Sequence, residues 1–121
     1  MNVLQALQGH LDSGGVLTGL TPVFFRWYDE DIASTAPDSV LLRPSGGGTT
    51  NELMQQPDVT IAVATMAPHL AYDACLAIRD YLIEHYTIPG VCNFEILADV
   101  TGPLLLETER NVCELNVRCW T

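Results

Sequence analysis

The chain has 121 residues, with 15 acidic against 5 basic side chains and a formal net charge of -10 at pH 7. This length fits a single domain over residues 1–121, and a hydrophobic share of 48% excludes global disorder. The acidic balance disfavours a sequence-specific nucleic-acid reader, which needs clustered lysine and arginine, and it equally disfavours docking to an anionic membrane surface.

The sequence carries no targeting signal that we recognise. No apolar run approaches the roughly 20 residues that span a bilayer, and Met1–Gln8 lacks the basic start and long apolar stretch of a signal peptide. We therefore expect a protein that is assembled in the cytoplasm. The cysteines at 75, 92, 113 and 119 form no closely spaced pair, so we expect them to be small buried hydrophobic side chains.

The N-terminal half predicts one short helix and three strands. Residues 2–11 carry apolar side chains at helical spacing, and the Asp-Ser-Gly-Gly segment at 12–15 ends this helix. The aromatic and β-branched run Val23–Tyr28 predicts the first strand. Ser39–Arg43 predicts the second, and the alternation over 59–64 after Pro57 predicts the third.

The C-terminal half predicts a long helix and two more strands. The helix runs from Pro68 to about Tyr86, and a proline suits its first turn because the N–H groups there have no partner within the helix. One strand covers about Cys92–Ala98 and the other Arg110–Trp120, with Gly102-Pro103 as an interruption between them and Leu104–Leu106 as an extension past it. Within the helix, the apolar stripe consists of Ala71, Ala74, Cys75, Ile78, Tyr81 and Leu82.

The predicted order is therefore α-β-β-β-α-β-β. Short connections between strands favour a mainly antiparallel sheet, and the long helix should cover one of its faces. We predict a single-domain α+β fold.

No motif in the sequence indicates catalysis or a bound cofactor. The glycine run Gly46, Gly47 and Gly48 leads to a strand, whereas a phosphate-binding loop leads to a helix N-terminus, and the chain has no lysine to contact a phosphate. The histidines and cysteines lack the spacing of metal ligands, and no serine or cysteine lies in the setting of a nucleophile. We expect a protein that is not an enzyme, with no metal and no cofactor.

Aromatic side chains on the outer strand faces are the unusual feature. Phe24, Tyr28 and Trp120 fall opposite the predicted core, and Arg26 and Arg118 share their faces. Aromatic residues with arginine are typical of interface cores, so a neighbouring subunit would explain both. The alternative is that a loop or the first helix covers them.

Several segments of the chain resemble small tail-terminator proteins of tailed bacteriophages, also described as minor capsid or tail-completion proteins. The resemblance lies in the order of the predicted elements and in short sequence segments. It covers most of the chain and includes no catalytic motif. It is carried by the N-terminal helix and by Leu17–Phe25, Ala36–Arg43, Gly46–Gly48, Gln56–Val63 and Ala71–Leu82.

This resemblance implies a virion protein at the head-proximal end of the tail. The family implies a hexameric ring of an α+β sandwich that sits on the tail tube protein, stops its polymerisation and presents a surface to the head–neck connector protein. It implies no catalytic or cofactor residues. A negative lumen that repels DNA would suit so acidic a chain.

Family contacts come from loops and sheet edges. The matching positions are the Gly46–Gly48 loop with Arg43, the acidic loop of Asp29, Glu30 and Asp31, and the end of the last strand at Arg118 and Trp120. Two alternatives stay open. One is a head-completion or connector subunit. The other is a small cytoplasmic enzyme or anion-binding domain that holds an anion with the Gly46–Gly48 loop and Arg43, in a pocket lined by Arg43 and Ser45.

Overall fold

Two helices and six strands make up the parts of the chain that the computed structural model describes, which are residues 3–24, 38–44, 58–88, 92–105 and 111–120. The order of elements is the predicted one, with a short additional strand after the second helix. In chain order they are α1 (Val3–Ser13), β1 (Thr21–Phe24), β2 (Ser39–Pro44), β3 (Asp58–Thr65), α2 (Pro68–Glu84), β4 (Thr87–Ile88), β5 (Cys92–Leu105) and β6 (Asn111–Trp120).

Helix α1 forms where the apolar spacing predicts it. Leu4, Leu7 and Leu11 are buried on its inner face. The predicted end at residue 11 is wrong by two residues, because the hydroxyl of Ser13 donates a hydrogen bond to the His10 carbonyl at 2.8 Å within the last turn. The chain turns away only at Gly15, which adopts φ +74°, a conformation that glycine permits without a steric penalty.

The six strands form one mixed sheet in the order β1-β2-β3-β6-β5-β4. Four of the five strand pairs are antiparallel, as the sequence predicts, but β1 pairs with β2 in parallel. The prediction of a mainly antiparallel sheet is thus confirmed only in part. The chain between Phe24 and Ser39 is long enough for the crossover that a parallel pair requires, whereas a two-residue turn would enforce an antiparallel one.

Helix α2 covers one face of this sheet. Its predicted apolar stripe is confirmed: Ala71, Cys75, Ile78 and Leu82 are fully buried or nearly so, and they join α1 and the inward side chains of β2, β3 and β6 in one core. The helix ends at Glu84, slightly before the predicted end. No helix in the described ranges combines the length and the apolar character needed to cross a membrane.

Strand β5 differs most from its prediction. The predicted interruption at Gly102-Pro103 is wrong, because the strand continues from Cys92 to Leu105 through three shifts of register against β6. Gly102 has φ +116°, and a Cβ there would lie 2.6 Å from the carbonyl oxygen of Val112. Glycine lets the backbone bulge at this close approach, so the strand bends instead of ending.

Candidate assembly surface

The sheet face that points away from the helices is buried along its centre. On β3 all eight residues are buried, which includes Ala62 and Ala64 on this outer face. Leu41 of β2 and Val112 of β6 are buried beside them, and none of these four side chains belongs to the core under the helices. Strand β3 is therefore excluded from water on both faces, although the predicted alternation over 59–64 is typical of a strand with one wet face.

A bidentate ion pair crosses this outer face. Asp58 and Arg118 are directly opposite each other in the β3–β6 register, and the arginine donates from Nε to Oδ1 at 2.8 Å and from Nη2 to Oδ2 at 3.2 Å. The carboxylate side chain is only 8% exposed. The hydrogen bond to Asp58 raises the pKa of Arg118 further above its already high value. Arg118, predicted as an interface residue, is thus held by a carboxylate of its own chain.

Trp120 lies next to this ion pair at the end of β6. Its indole N–H donates to Glu95 Oε2 at 2.8 Å, and Glu95 is the β5 partner of Arg118 in register. The ring remains 37% exposed. A tryptophan with its polar atom satisfied and its apolar ring in water is the type of side chain that protein interfaces select.

A second polar row crosses the same face one step further along the strands. Thr60 donates its hydroxyl to Asn116 Oδ1 at 3.0 Å, and Arg43 is the β2 partner of Thr60 in register. Burial lowers the pKa of the Arg43 guanidinium, and burial raises the pKa of the Glu114 carboxyl on β6. Both shifts report desolvation, which penalises the charged form of each group.

The structure brings three of the predicted interface residues onto one face: Arg43, Arg118 and Trp120. Phe24 ends β1 at the edge of the sheet, and its side chain lies outside the described part. The other predicted interface residues also lie outside the described residues; they are Arg26, Tyr28, Asp29, Glu30, Asp31, Gly46, Gly47 and Gly48.

The described cysteine side chains are packing groups. Cys75, Cys113 and Cys119 are buried, as predicted. Burial, with a smaller contribution from nearby Cys113, raises the pKa of the Cys75 thiol to about 12. Such a thiol stays protonated at neutral pH and is a poor nucleophile or ligand. Over the described ranges, no three histidine, cysteine or acidic side chains lie close enough together to hold a metal ion.

A groove of about 480 Å³ lies between the α1–β1 connection and the first half of α2. Val16, Leu20, Leu70 and Ala74 line it, with Asp73 among the few charged groups. Arg43, on which the anion-binding alternative depends, is not one of its lining residues. No cationic side chain is among the described residues that line the groove, so this part of it does not suit an anion.

Sequence reasoning missed most of the exposed apolar side chains. Leu104 and Leu105 stand in a run of leucines, a signal that was visible in the sequence, but helical or strand periodicity alone would assign such residues to the core. The large apolar side chains that are exposed among the described residues are Met66, Leu70, Tyr72, Ile83, Tyr86, Leu97, Leu104, Leu105 and Trp120.

Comparison with known proteins identifies the family. No curated protein matches the chain. The sequence model of a family described as "Phage tail termination protein" matches residues 1–121, the whole chain. This confirms the resemblance drawn from the separate segments and makes the protein a structural component of the virion tail. The chain therefore belongs to the phage tail termination protein family.

Proposed function

We propose that the protein acts as a tail terminator: copies form a ring on the head-proximal end of the tail tube, stop its polymerisation and present a surface to the head–neck connector. The observation that carries this proposal is the match to the tail termination family over the whole chain. Six copies per ring is the number that the family resemblance implies. The role is structural and needs no catalytic group.

The charge of the chain suits such a ring. At a formal charge of -10 per copy, a closed ring around a conduit carries a strong negative field, and a negative wall repels the phosphate backbone of DNA. DNA then passes without binding. The same acidity makes copies repel each other, so contacts between copies require surfaces where charge is absent or neutralised.

Tail assembly in the absence of this protein tests the proposal. Tails produced by a phage that lacks the gene should carry tubes of uncontrolled length in electron micrographs, and they should fail to join heads. Purified protein added during assembly should restore uniform tubes and head joining. Uniform tubes of normal length without the protein would contradict the proposed role.

Fractionation separates this role from that of a head-completion or connector subunit. A terminator should remain with purified tails that have never met a head, whereas a head-completion subunit should remain with purified heads. The family match favours the tail. Recovery of the protein exclusively with heads would favour the alternative.

A further inference from the structure

The groove beside the first half of α2 combines apolar surface with negative charge. Val16, Leu20 and Leu70 contribute apolar surface, and Asp38 and Asp73 are the only charged side chains among its described lining residues. Leu70 is 47% exposed, so part of the apolar surface faces water. A volume of about 480 Å³ lies in the range of sites that hold a small ligand or a few side chains.

The α1–β1 connection forms one wall of the groove and is held by its own hydrogen bonds. Leu17 is 4% exposed and belongs to the core under the helices. The Leu20 N–H donates to the Leu17 carbonyl at 3.0 Å, and the Thr18 hydroxyl donates to the Gly15 carbonyl at 2.8 Å. This wall is therefore formed before anything binds, which lowers the entropy cost of binding.

Asp38 is fixed at the floor of the groove by two backbone groups. Its carbonyl accepts a hydrogen bond from the Thr21 N–H at 2.9 Å, which ties it to the start of β1. Its Oδ1 accepts one from the Met66 N–H at 3.3 Å, just after the end of β3. The position of this carboxylate is thus set by the fold itself.

Asp73 adds a second carboxylate from the exposed side of α2. The arginine on the same helix, Arg79, pairs with Asp80 and Asp99 instead. Arg118 is engaged on the outer face of the sheet. Neither of these arginines is among the described lining residues of the groove.

The sequence that borders the groove is acidic as well. Residues 25–37, which lead into Asp38, contain three acidic side chains and one arginine. Residues 106–110, which lead into the Asn111 partner of Thr65, contain two acidic side chains and one arginine. Both bordering segments therefore add net negative charge.

We propose that this groove binds a short segment of another virion protein that carries an arginine or lysine between apolar residues. The apolar stem of such a side chain packs on Val16 and Leu20, and its charged head is attracted by Asp38 and Asp73. Opposite charge favours a basic partner over a second copy, because a second copy also carries a net charge of -10 and has no lysine. The inference rests on membership of the tail termination family and does not depend on the proposed ring.

Three acetylated tripeptide amides probe the groove: leucine-arginine-leucine, leucine-norleucine-leucine and leucine-glutamate-leucine. Saturation-transfer NMR suits the measurement because it detects weak ligands on the full chain, whether this is a monomer or a ring. The arginine peptide should bind most tightly and the glutamate peptide least, with the norleucine peptide between them, since the three differ only in the charge of the central side chain.

Two variants locate the binding site. Asp73→Asn should weaken binding of the arginine peptide about three- to tenfold and leave the norleucine peptide unchanged, because only the charged head contacts a carboxylate. Ala77→Phe places a ring at an exposed lining position and should weaken binding of both peptides. Glu84→Gln removes an exposed carboxylate of the same helix outside the groove and should change neither. The melting temperature of each variant confirms that it is folded.

Three results would overturn the proposal. Binding of the arginine peptide that Asp73→Asn and Glu84→Gln weaken equally would show general attraction to an acidic surface. Failure of all three peptides to bind would show that the groove does not accept such a segment. If Asp73→Asn and Arg26→Ala both lower self-association by sedimentation, the occupant is a second copy. None of these results bears on the proposed terminator role, which tail length in the absence of the protein tests separately.

Discussion

The carboxylate of Asp58 is the most buried charge in the described part of the sheet. Arg118 compensates its negative charge. Arg118 donates two hydrogen bonds to it in a planar, two-pronged geometry that lysine cannot reproduce. Removal of an arginine from such a pair leaves an anion in a poorly hydrated place, which costs more than the pair contributed.

We expect Arg118→Ala to lower the urea midpoint of unfolding clearly. The physical reason is the unpaired Asp58 carboxylate, and the double variant Asp58→Asn with Arg118→Ala should recover a large part of the loss. Arg79→Ala serves as a control, because Arg79 pairs with Asp80 and Asp99 at the surface and both carboxylates remain hydrated after the change. Equal midpoints for Arg118→Ala and Arg79→Ala would contradict the argument.

The Glu114 carboxyl should make the stability of the fold fall as the pH rises. Burial raises its pKa from the ordinary 4.5 in the folded chain, so as pH rises through 4.5 the unfolded chain loses this proton first and the folded state loses stability. This loss of stability is complete once the pH exceeds the pKa that Glu114 has in the folded chain. Glu114→Gln should therefore raise the melting temperature at pH 7, and the difference should vanish below about pH 4. A variant that melts lower than the parent at pH 7 would contradict this assignment.

At the scale of elements, the bulged strand β5 depends on a single glycine. Gly102 combines a positive φ with a backbone oxygen in the position that a Cβ would take. Gly102→Ala should destabilise the protein by about 1–3 kcal/mol, which is the cost of holding a residue in a sparsely populated backbone region. Chemical denaturation of the variant measures this loss.

The same glycine-to-alanine change in helix α1 should increase stability instead of lowering it. At Gly9, apart from its chain neighbours and the backbone of the helix, no atom of the described residues lies within 4 Å of the place that a Cβ would take. Gly9→Ala should therefore stabilise the protein by roughly 0.5–1 kcal/mol through helix propensity. A gain in stability for Gly9→Ala together with a loss for Gly102→Ala would show that β5 needs the bulge. A neutral Gly102→Ala would show that the backbone relaxes freely there.

At the scale of the whole molecule, charge decides how copies can meet. Two copies of a chain with net charge -10 repel each other, and this repulsion extends over the Debye length of about 8–10 Å at physiological salt. Apolar contacts between copies become stronger when salt screens the repulsion, whereas ion pairs between copies become weaker.

We therefore expect added sodium chloride to strengthen assembly. The sedimentation-derived association constant should rise between low salt and physiological salt, because screening reduces the repulsion without weakening apolar contact. A fall in association with salt would indicate that ion pairs, and not apolar contacts, join the copies.

The local pattern of the chain was enough to predict most of the elements and the inner core. Helical spacing in α2 and strict alternation in β6 identify which side chains face each other, since those periods follow from backbone geometry alone. Short segments that resemble tail-terminator proteins indicated the family that the whole-chain match confirms. The sequence by itself therefore determined the element types, the inner face of the sheet and the class of protein.

Only the tertiary structure decided which side chains meet on the outer face of the sheet and how β1 pairs with β2. Asp58 and Arg118 are 60 positions apart, and nothing local indicates that β3 and β6 bring them into register. The parallel β1–β2 pair depends likewise on strand order. These features arise from contacts between segments distant in sequence, where local periodicity carries no information about the partner.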